Sequence, residues 1–263
     1  MKIINICAYK CKKIFNFNYK ILIIVIIFFL GILLLSKKYF LKSKTIIPFD
    51  YEDNCTDNNK LNEKSNIILD KYNNKKLICL TFDDGPSEYT KLLIDGLKER
   101  NVNVTFFVLG KKISKYPQYL KEAYKNGNEI GIHGYSHKLF TRLKNEKILD
   151  EIDITNKEIY NLTGQIPSLI RVPYGSLSSR VKKVLNSVNL QSILWTIDSK
   201  DWKYLNSQKD YNYVLKKIKG NDIILMHDTY KPSVLAALNL IDELKNEGYM
   251  FITVSEYIKC WCN

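Results

Sequence analysis

Leu77-Ile78-Cys79-Leu80-Thr81-Phe82-Asp83-Asp84-Gly85-Pro86 is a run apolar but for one hydroxyl that stops abruptly in two adjacent carboxylates and a Gly-Pro turn. A short apolar run bounded by turn residues is the pattern of a strand buried on both faces. The two carboxylates then stand just past its C-terminal end. Six further runs of this kind follow, at 104–109, 129–132, 169–172, 192–197, 222–226 and 250–254. Helical stretches lie between them at 89–100, 117–126, 144–162, 178–189 and 232–247. Within 144–162, Ile148, Ile152, Ile159 and Leu162 recur at helical spacing, with acids and lysines on the opposite face. Strands alternating with helices predict an α/β fold with a parallel sheet.

Outward from Asp83 and Asp84, the polar residues select one end of that sheet. Asp83, Asp84, His133, His137, Arg171, Asp198, Asp201 and His227 all fall at or just beyond the ends of predicted strands. In a parallel β/α barrel that rim carries the active site, and scattered charges would not choose it. The set includes all three histidines of the chain. Histidine is the commonest metal ligand and titrates nearest neutrality, so a metal-assisted acid/base site is expected.

Asp84, His133 and His137 offer one oxygen and two imidazole nitrogens, the three-donor set of an open catalytic metal site. Gly131 and Gly134 place this His-x3-His pair in a loop rather than on a helix. The competing view is a pair of ordinary turn histidines. Asp83 cannot easily aim at the same point as Asp84, and reads either as a proton acceptor or as support for the metal. His227, behind apolar Ile224 and Leu225, reads as a fourth ligand, a core histidine or a general acid. Arg171 to Gly175 and Asp198 to Trp202 complete the rim; taken singly they are an Arg–Asp ion pair and a packed Trp.

Five segments in order, Thr81 to Gly85, His133 to His137, Arg171 to Gly175, Asp198 to Trp202 and Leu225-Met226-His227, together resemble a known family over roughly 77–258. It is the NodB-homology polysaccharide deacetylases of carbohydrate esterase family four, which include peptidoglycan N-acetylglucosamine deacetylases. The resemblance implies a distorted (β/α) barrel with about seven parallel strands, in line with the strand count. It implies Asp83 as catalytic base, His227 as catalytic acid, and Asp84, His133 and His137 as ligands of a divalent metal, zinc first, with cobalt or another divalent ion as alternatives. By the same carry-over Arg171 orients Asp83, Asp201 orients His227, the Tyr174 backbone N–H faces the oxyanion, and Trp202 with Leu225 holds the acetyl methyl. One position departs: the family has Ser or Thr directly after the first metal histidine, where this chain has Gly134. That puts the rigidity of the loop in question and leaves the ligands intact.

The implied activity is removal of N-acetyl groups from N-acetylglucosamine of peptidoglycan. Alternatives are N- or O-deacetylation of a chitin-like or other surface polysaccharide, and a non-catalytic surface glycan-binding module. Intact Asp83 and His227 argue against the last, because binding alone needs neither base nor acid. The absence of His-Glu-x-x-His argues against a zinc peptidase.

Ile21 to Leu35 is an uncharged apolar run flanked by Lys20 and by Lys37-Lys38. Its helical length of about 22 Å is short of the roughly 30 Å hydrocarbon core. Snorkelling lysines and local thinning close that gap. No small-x-small cleavage site follows Leu35, which favours an uncleaved signal anchor. The expected plan is a cytoplasmic N-terminus at 1–20, a transmembrane anchor at 21–36, an extracellular stalk at 37–76, the deacetylase domain at 77–258 and a tail at 259–263. This places a single-pass protein in the cell membrane with its catalytic domain outside. Its partners are then the membrane and peptidoglycan or a related N-acetylated glycan. Of the thirteen net positive charges, eight lie in residues 1–50, nine lysines against Asp50, so no nucleic-acid partner is expected. Cys7 and Cys11 precede the anchor, Cys79 reads as a small buried hydrophobe, and Cys260 and Cys262 read as tail thiols or a disulfide to Cys55 ahead of a redox or metal pair, for which two cysteines are a weak signal.

Overall fold

The structure, a computed structural model, describes residues 76–261. The anchor, the stalk up to residue 75, and Cys7, Cys11, Cys55 and Cys262 lie outside the described residues. Among the described residues no helix is long and apolar enough to cross a membrane.

Strand β1 (Lys76–Asp83) is buried at every position after its first. It pairs in parallel with β2 (Thr105–Val108), with β7 (Asp222–His227) and, at its start, with β8 (Tyr249–Phe251). The sheet continues from β2 through β3 (Glu129–Ile132) and β4 (Leu169–Ile170) to β5 (Gln191–Ser192), and from β7 to β6 (Ile197–Asp198). Its helices are α1 (Thr90–Glu99), α2 (Gly110–Ile113), α3 (Pro117–Lys125), α4 (Asn145–Thr163), α5 (Ser179–Asn186), α6 (Asp201–Tyr204), α7 (Ser207–Leu215), α8 (Lys231–Asn246) and α9 (Val254–Trp261).

Successive side chains of a strand point to opposite faces, and β1 shows what that alternation does. Ile78, Leu80 and Phe82 enter the larger core, with Leu93, Ile94 and Leu97 of α1 and Ala237, Leu240 and Ile241 of α8. Leu77 and Cys79 enter a second cluster with Phe107, Leu169, Ile193 and Ile252. Thr81 and Asp83 continue this second, inner face toward the strand's C-terminal end. Cys79 is buried as expected, its S–H directed at the Thr253 carbonyl.

Three expectations change. The predicted strand 192–197 is two short strands, β5 and β6, because the carbonyls of Ile193 and Leu194 accept the Arg171 guanidinium (3.2 and 3.1 Å) instead of a neighbouring strand. The sheet order is β5-β4-β3-β2-β1-β7-β6, and no pairing among the described residues joins its ends. The barrel is therefore an open, curled half-barrel. The strand predicted at 250–254 ends at Phe251, and α9 begins at Val254. There Glu256 accepts the Thr253 N–H at 2.9 Å and Thr253 Oγ accepts the Glu256 N–H at 3.4 Å, a reciprocal helix cap.

Candidate active site

Alternation along β1 sets Thr81 and Asp83 on the inner face; Asp84 follows at φ 69°, and, against the expectation that the two cannot easily aim at one point, Asp83 Oδ2 (3.7 Å) and Asp84 Oδ1 (3.5 Å) both approach His133 Nε2. Arg171, one residue past β4 and fully buried, crosses this face. Its Nη1 donates to Asp83 Oδ1 (2.8 Å) and to Thr81 Oγ1 (2.7 Å). The guanidinium lies 4.3 Å from the Phe107 ring centroid and 5.6 Å from that of Trp195. A buried cation is tolerated only when paired and hydrogen-bonded, and Asp83 with the carbonyls of residues 193 and 194 meets both needs. Asp83 Oδ1 is thereby occupied, and Oδ2 lies 3.7 Å from His133 Nε2.

His133 follows β3 directly, and its Nδ1 lies 2.6 Å from the Arg171 carbonyl oxygen. A carbonyl only accepts, so Nδ1 carries the proton and Nε2 presents its lone pair. That Nε2 is 3.5 Å from Asp84 Oδ1, and His137 Nε2 is 3.3 Å from the same oxygen. Two donors bound at about 2.0–2.1 Å to a tetrahedral ion stand about 3.3 Å apart, so the spacing fits one. Asp84 Oδ1 is buried and has no hydrogen-bond partner among the described residues, an orphaned acceptor that an ion would satisfy. Burial pushes His137 below its ordinary pKa, toward the neutral imidazole that ligates. The donor set therefore fits a divalent ion with coordination positions to spare.

Across Asp83 stands His227, its register partner at the end of β7. Asp201, fully buried at the start of α6, lies with Oδ1 2.9 Å from His227 Nδ1 and accepts the His227 backbone N–H on Oδ2 at 2.7 Å. Burial alone would lower the His227 pKa, but the bond to Asp201 and the charges of Asp201, Asp83 and Asp84 outweigh it and raise it to about 9. Burial would likewise raise Asp201, yet its bonds to His227 hold it below the usual carboxylate range. The imidazole is cationic at neutral pH, with Nε2–H left to donate.

Leu225, two residues before His227 on the same strand face, is buried, whereas Trp202 is 49% and Tyr174 67% exposed. The Tyr174 ring stands edge-on to His137 at 4.5 Å. Asp84, His137, Tyr174 and Lys200 all have φ between 62° and 69°. Left-handed non-glycine residues cost on the order of 1–3 kcal/mol each and persist only where the surroundings impose them.

The structure thus brings together Asp83, Asp84, His133, His137, Arg171, Asp201 and His227, with Tyr174, Trp202 and Leu225 beside them. Asp198 serves its own loop, accepting the Lys200 N–H (2.9 Å) and Nζ (2.6 Å). Sequence reasoning missed Thr81, Phe107 and Trp195, which hold Arg171; only Thr81 carried a signal, two residues from Asp83 on one strand. It also missed Asp228, which accepts from Thr90 Oγ1 and fills the space a Cβ at Gly85 would need. Glu151 was missed too; its carboxylate bonds the 135–136 backbone.

Residues 70–193 match the family model described as polysaccharide deacetylase. The peptidoglycan-N-acetylmuramic acid deacetylase PdaC of Bacillus subtilis is 36% identical over 222 residues, 81% of this chain and 47% of that protein. The chain thus spans about half the length of that relative. A peptidoglycan-N-acetylglucosamine deacetylase of Bacillus cereus is 34% identical over 193 residues, 71% of this chain and 90% of that protein. The solved structure of PdaC aligns with a TM-score of 0.68 at 37% identity, covering 71% of this chain and 92% of that one. Sequence and fold agree, and the chain belongs to the polysaccharide deacetylase family, the NodB-homology carbohydrate esterase family four.

Proposed function

We propose that this protein is a divalent-metal-dependent hydrolase that removes N-acetyl groups from N-acetylglucosamine of peptidoglycan, tethered outside the cell membrane by residues 21–36. The observation that carries this is the arrangement about Asp83: an open three-donor set on one side and, across from it, a histidine held as a cation.

An N-acetyl group is an unreactive amide whose amine leaves only when protonated. Its hydrolysis needs an activated carbonyl, a base and an acid. Asp84, His133 and His137 would hold a divalent ion, zinc being the first candidate for an N2O donor set, which when bound would supply Lewis-acid activation of the carbonyl and of water. Asp83 takes the proton of the attacking water on Oδ2, the oxygen that Arg171 leaves free. The Tyr174 backbone N–H donates to the developing oxyanion, a contribution of about 2.7–4 kcal/mol for such a donor. His227 Nε2–H then protonates the departing nitrogen, worth roughly 10²- to 10⁴-fold in rate. Trp202 and Leu225 form the apolar wall for the methyl group.

The B. subtilis relative's name makes N-acetylmuramic acid the alternative sugar. Treating purified peptidoglycan with the zinc-loaded full chain, then weighing the digested muropeptides, tests both. The expected result is the loss of one acetyl mass per modified residue, assigned by fragmentation to N-acetylglucosamine. Glycan binding with unchanged masses would make the protein a binding module.

A further inference from the structure

The loop that carries the two histidine donors starts its turn at Gly134, at φ 80°. No side-chain hydroxyl is available there, so the hold on this loop comes from another element. On its carbonyl side, the N–H groups of Gly110 and Lys111 donate to the carbonyls of Gly134 and Tyr135, both at 3.1 Å. On its amide side stands one carboxylate. Glu151 sits in the second turn of α4, on the helix face that buries Ile148, Ile152 and Thr155, and is itself 8% exposed. Its Oε2 accepts the N–H groups of Tyr135 (2.8 Å) and Ser136 (2.7 Å), and its Oε1 accepts the Ser136 hydroxyl at 2.5 Å.

This constellation acts on the ligand that needs it most. His137 follows Ser136 directly and has φ 63°, a conformation an L residue holds only under constraint. Hydrogen bonds with an ionised partner are about twice as strong as neutral ones, and one carboxylate bridging two successive N–H groups fixes the orientation of both peptide planes. A Cβ at 134 would lie 3.5 Å from Glu151 Oε2 and 3.3 Å from the Phe140 ring. The contact with Glu151 is ordinary and that with Phe140 tight, so the ring and the positive φ favour glycine at 134, and Ser136 supplies the hydroxyl two residues later.

We infer that Glu151 is the positioning residue of the metal-binding loop, holding the His133–His137 segment in the shape that points both Nε2 atoms at Asp84. It works on the ion only through the loop. The inference rests on Asp84, His133 and His137 being the metal site.

The test titrates Zn²⁺ into the metal-stripped full chain by calorimetry and follows thermal unfolding of the same stripped samples. Glu151→Ala should weaken zinc binding by about 10- to 100-fold, as loss of a group that orients a ligand does. Glu151→Gln keeps one oxygen for the two N–H groups and an amide for the Ser136 hydroxyl, and should restore most of the affinity. Ser136→Ala, which loses one bond of three, should fall between. A folded Glu151→Ala protein that binds zinc as tightly as wild type overturns the inference. Should that variant fail to fold, unchanged affinity in Ser136→Ala overturns it, as does a loss in Glu151→Gln unaccompanied by any in Ser136→Ala. Failure of the wild type to bind zinc at all is a different result, because it removes the metal site first.

Discussion

On one side of Asp83, Asp84 and His137 sit partly exposed on left-handed backbone, around a buried carboxylate oxygen that no described group satisfies. On the other side, His227 and Asp201 bury their pairing in the fold, and Asp201 has both its oxygens engaged. The first side is incomplete without a further ligand; the second is complete and holds a proton. That difference assigns distinct chemistry to two groups of residues that all lie at or just beyond strand ends. It also separates their sensitivities, one to chelation and the other to pH.

The largest effect is expected from the first side. Asp84→Ala, His133→Ala and His137→Ala should each lose both bound metal and activity, since an open three-ligand site rarely survives the loss of a ligand. Full occupancy by elemental analysis in all three would place the metal elsewhere. Next comes the residue between the two sides. Asp83→Asn should keep the metal and lose roughly 10²- to 10⁴-fold in turnover, as removal of a general base does. A fully active Asp83→Asn protein would move that role elsewhere.

Asp201→Asn separates the two sides through pH. The acid form of His227 exists below its folded pKa, so acid catalysis is lost as pH rises through that value. Asp201, Asp83 and Asp84 raise it to about 9 from 6.5, and a bound divalent ion offsets the last two, so the alkaline limb of the metal-loaded protein should fall between these values. With Asp201 neutral, burial dominates and the limb should move to lower pH. A limb that stays put would show that another group sets it. The same raised pKa makes a stability contribution present below pH 6.5 and lost as pH rises through the folded value. Wild type should therefore lose more denaturation free energy than Asp201→Asn between pH 6 and 10. The smallest effect is expected at Asp198, whose partner is the partly exposed Lys200. Among the described residues Asp198 accepts only from Lys200, within its own loop, and bonds none of the reacting groups, so Asp198→Ala should change kcat less than tenfold. A loss matching that of Asp201→Asn would make the whole 198–202 segment part of the acid.

How much of this was legible follows from distance along the chain. Asp83, His133 and His227 could be placed because each terminates a strand whose apolar run is visible in the sequence, and Thr81 shares a face with Asp83 by simple alternation. The break between β5 and β6 was not legible, because it depends on Arg171 reaching carbonyls 22 and 23 residues away. The barrel's failure to close rests on that same region. Glu151 was hidden differently. Acids of 144–162 read as the solvent face of a helix, yet Glu151 lies three residues from Ile148 and four from Thr155, on the buried side. Helical spacing locates such an acid without revealing the loop amides above it.

The two sides of Asp83 should fail separately, and His227→Ala shows whether they do. Metal content, hydrolysis of an N-acetyl amide and hydrolysis of an activated aryl acetate, whose leaving group needs no proton, are measured on one preparation. Metal should be retained, amide hydrolysis should collapse and a much larger share of ester hydrolysis should survive. Equal losses on the two substrates, or loss of the metal, would show that the two sides act as one.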